Sequence, residues 1–306
     1  MKKLIYLSLI IAFLSGCGSP VPKGTKIYCM TGFFDGKTAN EKTGTSVFEN
    51  GKIKNLYRYY KTPAITKDGK KLAAFHGERK DTLVVKNLET GVSGEYKINN
   101  ISIMDFEWNP VNQNEIYYVG GDYDESQKKH LFNIYKYSLL EQKKVKITNL
   151  TILDRRISDF SISPDGKKIA YSVSLPKHSA VKILNVESGE EKQIPFSTRN
   201  LDWSPDGKTI AISGIYYDGV RTEYGNRIIF YDVKADTYRQ IEKPGGDKAY
   251  LWISDLEYSP DGKKIAFVRH ENSGAKTLWV MNADGTNRKK IHPGGGYILD
   301  LSWTEG

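Results

Sequence analysis

One octapeptide constrains this chain more than any other feature. Ser163-Pro164-Asp165-Gly166-Lys167-Lys168-Ile169-Ala170 returns in near copy at residues 204–211 and 259–266. Pro presets φ near −65° at the second position of a tight turn, Asp suits the third, and Gly then accepts a positive φ. In that order the residues form a type I turn closed by a Gly bulge, which reverses one strand into the next. The apolar run that follows each copy, Ile169 to Val173 in the first, reads as a strand.

Weaker copies extend the pattern, as a repeat architecture requires. Lys67-Asp68-Gly69-Lys70-Lys71-Leu72-Ala73 keeps the turn without its Pro, and Asn109-Pro110 keeps the Pro with a longer turn before Glu115. Two residues before the Pro position the side chain is large and apolar each time: Ile65, Trp108, Ile162, Trp203 and Tyr258. These side chains are expected between neighbouring sheets. Every unit continues with an apolar third strand, a polar turn and a short fourth strand. Four short strands recurring at roughly 40 to 55 residues make a propeller blade.

The end of the chain sets the number of blades. Residues 298–304 match the first strand of a blade, and the remaining three strands are found near the other end, at residues 26–30, 45–48 and 53–57. The expectation is an all-β, six-bladed propeller with four strands per blade, closed by the C-terminal strand joining the N-terminal blade. Closure removes the open sheet edges that invite aggregation.

The Ser-Pro-Asp-Gly-Lys repeats resemble those of the TolB-type six-bladed propeller, a WD40-like family, over residues 26–306. TolB itself carries an α/β domain before its propeller, for which this sequence leaves no room, so its role in the Tol system is not carried over. Similar repeats also precede the hydrolase domain of prolyl oligopeptidase-like enzymes. No Gly-x-Ser-x-Gly occurs here.

Residues 1–16 have Lys2 and Lys3, an apolar run from Leu4 to Leu14 and then small residues. That is a secretory leader, because about 11 apolar residues fall short of the roughly 20 that span a bilayer. Leu14-Ser15-Gly16-Cys17 resembles a bacterial lipobox, which implies cleavage before Cys17 and its acylation, for instance with palmitate. Residues 17–25, rich in Gly and Pro, are expected to be the lipidated Cys and a tether, and 26–306 a single propeller. The only other cysteine, Cys29, aligns with Tyr171 and Phe267 in second strands and is expected to be a buried apolar residue.

The formal charge of +9 falls to about +7 once Lys2 and Lys3 leave with the leader. Lys and Arg are spread through strands and turns rather than gathered in a run, which suits a solvated exterior. Nucleic acid is not an expected partner after export. The membrane, held through the lipid on Cys17, and an envelope protein or polymer are.

Two sets of residues are candidates for recognition. Loops between second and third strands, expected at residues 31–43, 120–129, 175–179, 214–226 and 271–276, share one face, here termed the loop face, and His76, His130, His178, Tyr216, Tyr217, Arg221 and His270 map there. His292 maps to the same side. The histidines are spread over several blades without metal-ligand spacing, so neither a metal nor a cofactor is expected. The second set, Asp105, Asp159, Asn200, Asp255 and Asp300, stands five residues before each Pro position. First strands line the central channel, so these groups either ring its mouth to bind a ligand or hydrogen-bond backbone between blades. The Asp of each Ser-Pro-Asp-Gly turn, Asp165, Asp206 and Asp261, reads as a turn former.

The function expected from these features is that of a lipid-anchored envelope lipoprotein, on the outer face of a cell membrane or in an outer membrane, whose propeller is a protein- or polymer-binding scaffold. The alternative is an envelope carbohydrate lyase or hydrolase working from the histidine-bearing loop face. No recognisable catalytic set favours the second.

Overall fold

In the computed structural model the six repeats form six four-stranded antiparallel sheets. The structure describes residues 21, 25–33, 44–49, 52–58, 61–76, 82–98, 101–124, 128–150, 156–175, 179–216, 227–241, 250–292 and 296–305. Blades II to VI occupy residues 61–97, 101–146, 157–194, 196–241 and 250–292, each a meander of neighbouring strands. Blade I is composite. Its innermost strand is Gly296–Glu305, followed outward by Thr25–Phe33, Gly44–Glu49 and Lys52–Arg58.

Ring closure occurs as the repeat requires: Tyr28 lies opposite Ser302 and Met30 opposite Leu299, with a register shift between them. The strand then docks on blade II. The backbone N–H of Glu305 donates to the Lys67 carbonyl at 3.0 Å, and a Cβ at Gly69 would lie 2.9 Å from the Glu305 carbonyl oxygen. Gly69 has φ +72°, so both the turn and this close approach select glycine.

Local chemistry builds the turns. In blade IV the Gly166 N–H donates to the Ser163 carbonyl at 2.8 Å, with Gly166 at φ +71°. The Ser163 hydroxyl donates to Asp165 Oδ1 at 2.6 Å and accepts the Lys168 N–H at 2.8 Å. Asp165 Oδ1 also accepts the Lys167 N–H at 3.0 Å. Ser204 with Asp206, Ser259 with Asp261, and Thr66 with Asp68 repeat this arrangement. The hydroxyl residue is thus as much a part of the turn as the Asp.

The core lies between blades, in six apolar clusters that follow one another around the ring. Phe75, Phe106, Trp108 and Tyr118 join blades II and III, while Ile183, Leu201, Trp203 and Ile212 join IV and V. Ile65, Trp108, Ile162, Trp203 and Tyr258 are all buried, and the Trp108 indole donates to the Ala64 carbonyl of the preceding blade at 3.1 Å. Large side chains are needed here because sheets that radiate from an axis and pack face to face diverge outward and leave wedge-shaped gaps to fill.

Two expectations change. The second strands run farther toward the loop face than the sequence indicates: Gly120 to Asp124 and Gly214 to Tyr216 continue their strands instead of opening loops, because the hairpin partners stay in register, Tyr123 with His130 and Gly214 with Arg227. The segment expected to be a free tether also has a fixed point. Val21 is buried in the cluster that joins blades VI and I, beside Val268, Val280 and Ile27 among others. Cys17 and the leader lie outside the described residues. Cys29 is fully buried, and burial, with Asp255 and Asp300 nearby, pushes its thiol up to about 12. No helix among the described residues is long and apolar enough to cross a membrane.

Candidate functional site

Asp105, Asp159, Asn200, Asp255 and Asp300 all line a cavity of about 240 Å³ at the propeller axis. They stand there because each occupies the same position on an innermost strand. In blades VI and I the backbone bulges at this point, with Asp255 at φ +49° and Asp300 at +53°. Asp tolerates the left-handed region better than most side chains.

A second set stands two residues farther along the same strands and so on the same face. Glu107, Ser161, Asp202, Glu257 and Ser302 also line the cavity, with Lys67 from the blade II turn. This set escaped the sequence reading, although its spacing of two from the first set was there to be found.

The carboxylates hold blade to blade. Asp159 Oδ2 accepts the Leu201 N–H of the next blade at 2.7 Å, and Asp255 Oδ1 accepts the Asp300 N–H at 2.9 Å. In the second set Glu107 Oε2 accepts the Ile162 N–H at 3.1 Å, and Asp202 Oδ2 accepts the Tyr258 N–H at 2.7 Å. Glu257 likewise accepts from the Trp303 backbone, and Asp202 Oδ1 takes the Ser161 hydroxyl at 3.0 Å. Every backbone donor named here belongs to the blade that follows. The same groups therefore both line the channel and clasp the ring.

Their electrostatics follow from that position. These residues keep some surface toward the cavity, but the carboxyl groups lie deep in the protein. Burial holds Asp159, Glu107 and Glu257 well above the usual carboxylate range and raises Asp105, Asp202 and Asp255. Neighbouring carboxylates push the same way at Asp159, Glu107 and Glu257. Asp105 and Asp159 also act on one another, an interaction that lowers Asp105 and raises Asp159 further.

The histidine set is not gathered in this way. His270 Nε2 is 2.8 Å from the Ser254 hydroxyl, and burial, with Lys276 adding, pushes its pKa down to about 4. It is neutral at pH 7. His130 is exposed and meets the Tyr123 ring edge-on at 5.2 Å. Burial also lowers His292. Only the backbones of His76 and Tyr216 are described, at the loop-face ends of their strands, and His178, Tyr217 and Arg221 lie outside the described residues. Among the described residues no three His, Cys, Asp or Glu side chains are arranged to hold a metal ion.

Comparison with solved structures places this architecture. TolB from Acinetobacter baumannii superposes with a TM-score of 0.71 at 17% identity, covering 94% of this chain and 68% of that one. This chain has the TolB-type six-bladed propeller fold. A second TolB-type propeller, the putative TolB from Agrobacterium tumefaciens, gives 0.63 at 18% identity, covering 92% of this chain and 94% of that one. By sequence, this chain is 37% identical over 158 residues to dipeptidyl-peptidase 5 of Porphyromonas gingivalis, 48% of its own length and 22% of that protein. It thus spans about a fifth of that relative. No family model matches.

Proposed function

We propose that this protein is a lipid-anchored envelope lipoprotein whose propeller is a binding scaffold, with the axial channel taking a basic group of a protein partner. The observation that carries the reading is the channel itself: seven carboxylates and one lysine line a single cavity at the axis. Carboxylates accept hydrogen bonds and attract cations, so the complementary group is an ammonium or a guanidinium. The lipobox-like Leu14-Ser15-Gly16-Cys17 supports export and anchoring. The likeness to TolB structures supports the propeller fold on which this reading rests.

The test has to separate recognition from clasping, since the same side chains do both. Asp255→Asn keeps an oxygen to accept the Asp300 N–H and removes the charge. In crosslinking from intact cells, Asp255→Asn is expected to lose most of the partner captured by the unaltered chain while unfolding at the same urea concentration. Undiminished capture would remove the channel from the reading.

A further inference from the structure

The face opposite the histidines, here the turn face, carries the Ser-Pro-Asp-Gly hairpins and the turns between third and fourth strands. On it stand the three most exposed large apolar side chains among the described residues: Val92, Val111 and Leu140, at 69%, 64% and 76% exposure. They share one sector. Val92 is in the turn after Thr82–Asn87 of blade II, Val111 in the turn after Ile101–Trp108 of blade III, and Leu140 in the turn after Lys129–Ser138 of the same blade. The two blades are tied at this face, where Gln113 Nε2 donates to Asp68 Oδ2 at 3.0 Å and Lys71 Nζ to the Gln113 carbonyl at 3.2 Å. Exposed charges of both signs stand around these tips, Lys67, Asp68, Lys70 and Glu89 on blade II and Glu141 and Lys143 on blade III, with Lys70 3.4 Å from Glu89.

The chain enters the ring on this face. Thr25 pairs with Glu305, and Glu305 bonds to Lys67 of the blade II turn, so the first described strand starts on the same face as the apolar tips, next to blade II. Cys17 is eight residues before Thr25, a reach of at most about 28 Å, and four before the buried Val21, about 14 Å. Apolar tips whose flanking charges cancel suit the boundary of a bilayer, where the tips enter the acyl region and the charged groups stay among headgroups.

We propose that the tips bearing Val92, Val111 and Leu140 form a lipid-docking edge, which rests in the interface of the membrane that holds the chain and leaves the loop face turned outward. This rests on the reading of Cys17 as the lipid-bearing residue.

The full chain in phosphatidylethanolamine–phosphatidylglycerol vesicles with brominated acyl chains tests it. A fluorophore is placed at Lys143→Cys, or at Tyr123→Cys on the loop face. Buried Cys29 takes no label. The expected result is quenching several-fold stronger at 143 than at 123, because the two faces are separated by about 27 Å of strand. Combined replacement Val92→Ser, Val111→Ser and Leu140→Ser should bring the 143 signal down to that at 123. These side chains are exposed, so the variant keeps the fold.

Equal or reversed quenching in a chain that carries the acyl mass overturns the docking edge and leaves the anchor standing. A chain without the acyl mass that still floats with the vesicles, and floats about tenfold less in the triple serine variant, upholds the edge and sinks the anchor. A chain that neither carries acyl nor floats sinks both. A dimer in the ultracentrifuge that the triple variant abolishes assigns the patch to a second copy of this chain and overturns the proposal.

Discussion

Two series of carboxylates repeat around this ring, one at the hairpin turns and one on the innermost strands, and they behave in opposite ways. Asp68, Asp165, Asp206 and Asp261 are exposed, and hydrogen bonds from their own turns help hold their pKa values below the ordinary one. Asp105, Asp159, Asp202 and Asp255 accept backbone N–H groups too, yet they are raised, because burial outweighs the bonds. Residue type and periodicity are shared. What differs is whether the partner lies two residues away in water or 42 to 56 residues away in the core.

The sharpest way to break this comparison is to remove one acceptor from each series. Asp159→Ala strands the Leu201 N–H at a blade junction and should cost about 1–3 kcal/mol in urea unfolding. If it costs nothing, the inner series does not clasp. Asp159→Asn keeps an acceptor for Leu201 and removes a buried carboxyl whose charge is opposed by burial and by Asp105. It should be as stable as the unaltered chain or more so at pH 8, and a loss as large as that of Asp159→Ala would show that the buried charge carries no penalty.

Stability against pH should separate the series by sign. A carboxyl raised in the folded state holds a proton that the unfolded chain has released, so its contribution is favourable at low pH. That contribution is lost as pH rises from the ordinary Asp value of 3.8 toward the raised one. The turn series is lowered, so its contribution is present above 3.8 and disappears as pH falls through the lowered value. Replacing both Asp159 and Asp202 by Asn should flatten the decline on the alkaline side and leave the acid limb in place. An unchanged alkaline limb in thermal melts would show that these carboxyls do not drive it.

The smallest expected effect is at the turns. Asp165→Ala loses two hydrogen bonds that water partly replaces, and should cost under about 1 kcal/mol. A cost above that of Asp159→Ala would invert the ranking of the two series.

Much of this was open to reading from the residues. Pro164, Asp165 and Gly166 specify their turn through φ preferences and bonds spanning two or three residues, so the chain carries the whole instruction locally. The large side chain two before each Pro position was legible for a similar reason, since it recurs with the turn. Glu107, Asp202 and Glu257 were harder to see, because nothing within ten residues of each says that its oxygen meets the backbone of another blade. The longer strands at Tyr123 and Tyr216 were missed because pairing in register overrides Gly120, Gly121 and Gly214, which locally read as loop. Val21 sits among Gly and Pro, and only the cleft between the last and first blades gives it somewhere to go.

The sequence by itself determined the turns, the number of blades and the need for the last strand to complete the first sheet, because these follow from short-range backbone geometry and from counting. Tertiary structure alone decided which carboxylates became buried clasps, how their charges compete at the axis, and that the exposed tips of blades II and III share a face with the point where the chain enters the ring. Burial and the proximity of distant segments are properties of the closed ring, and no window along the chain contains them.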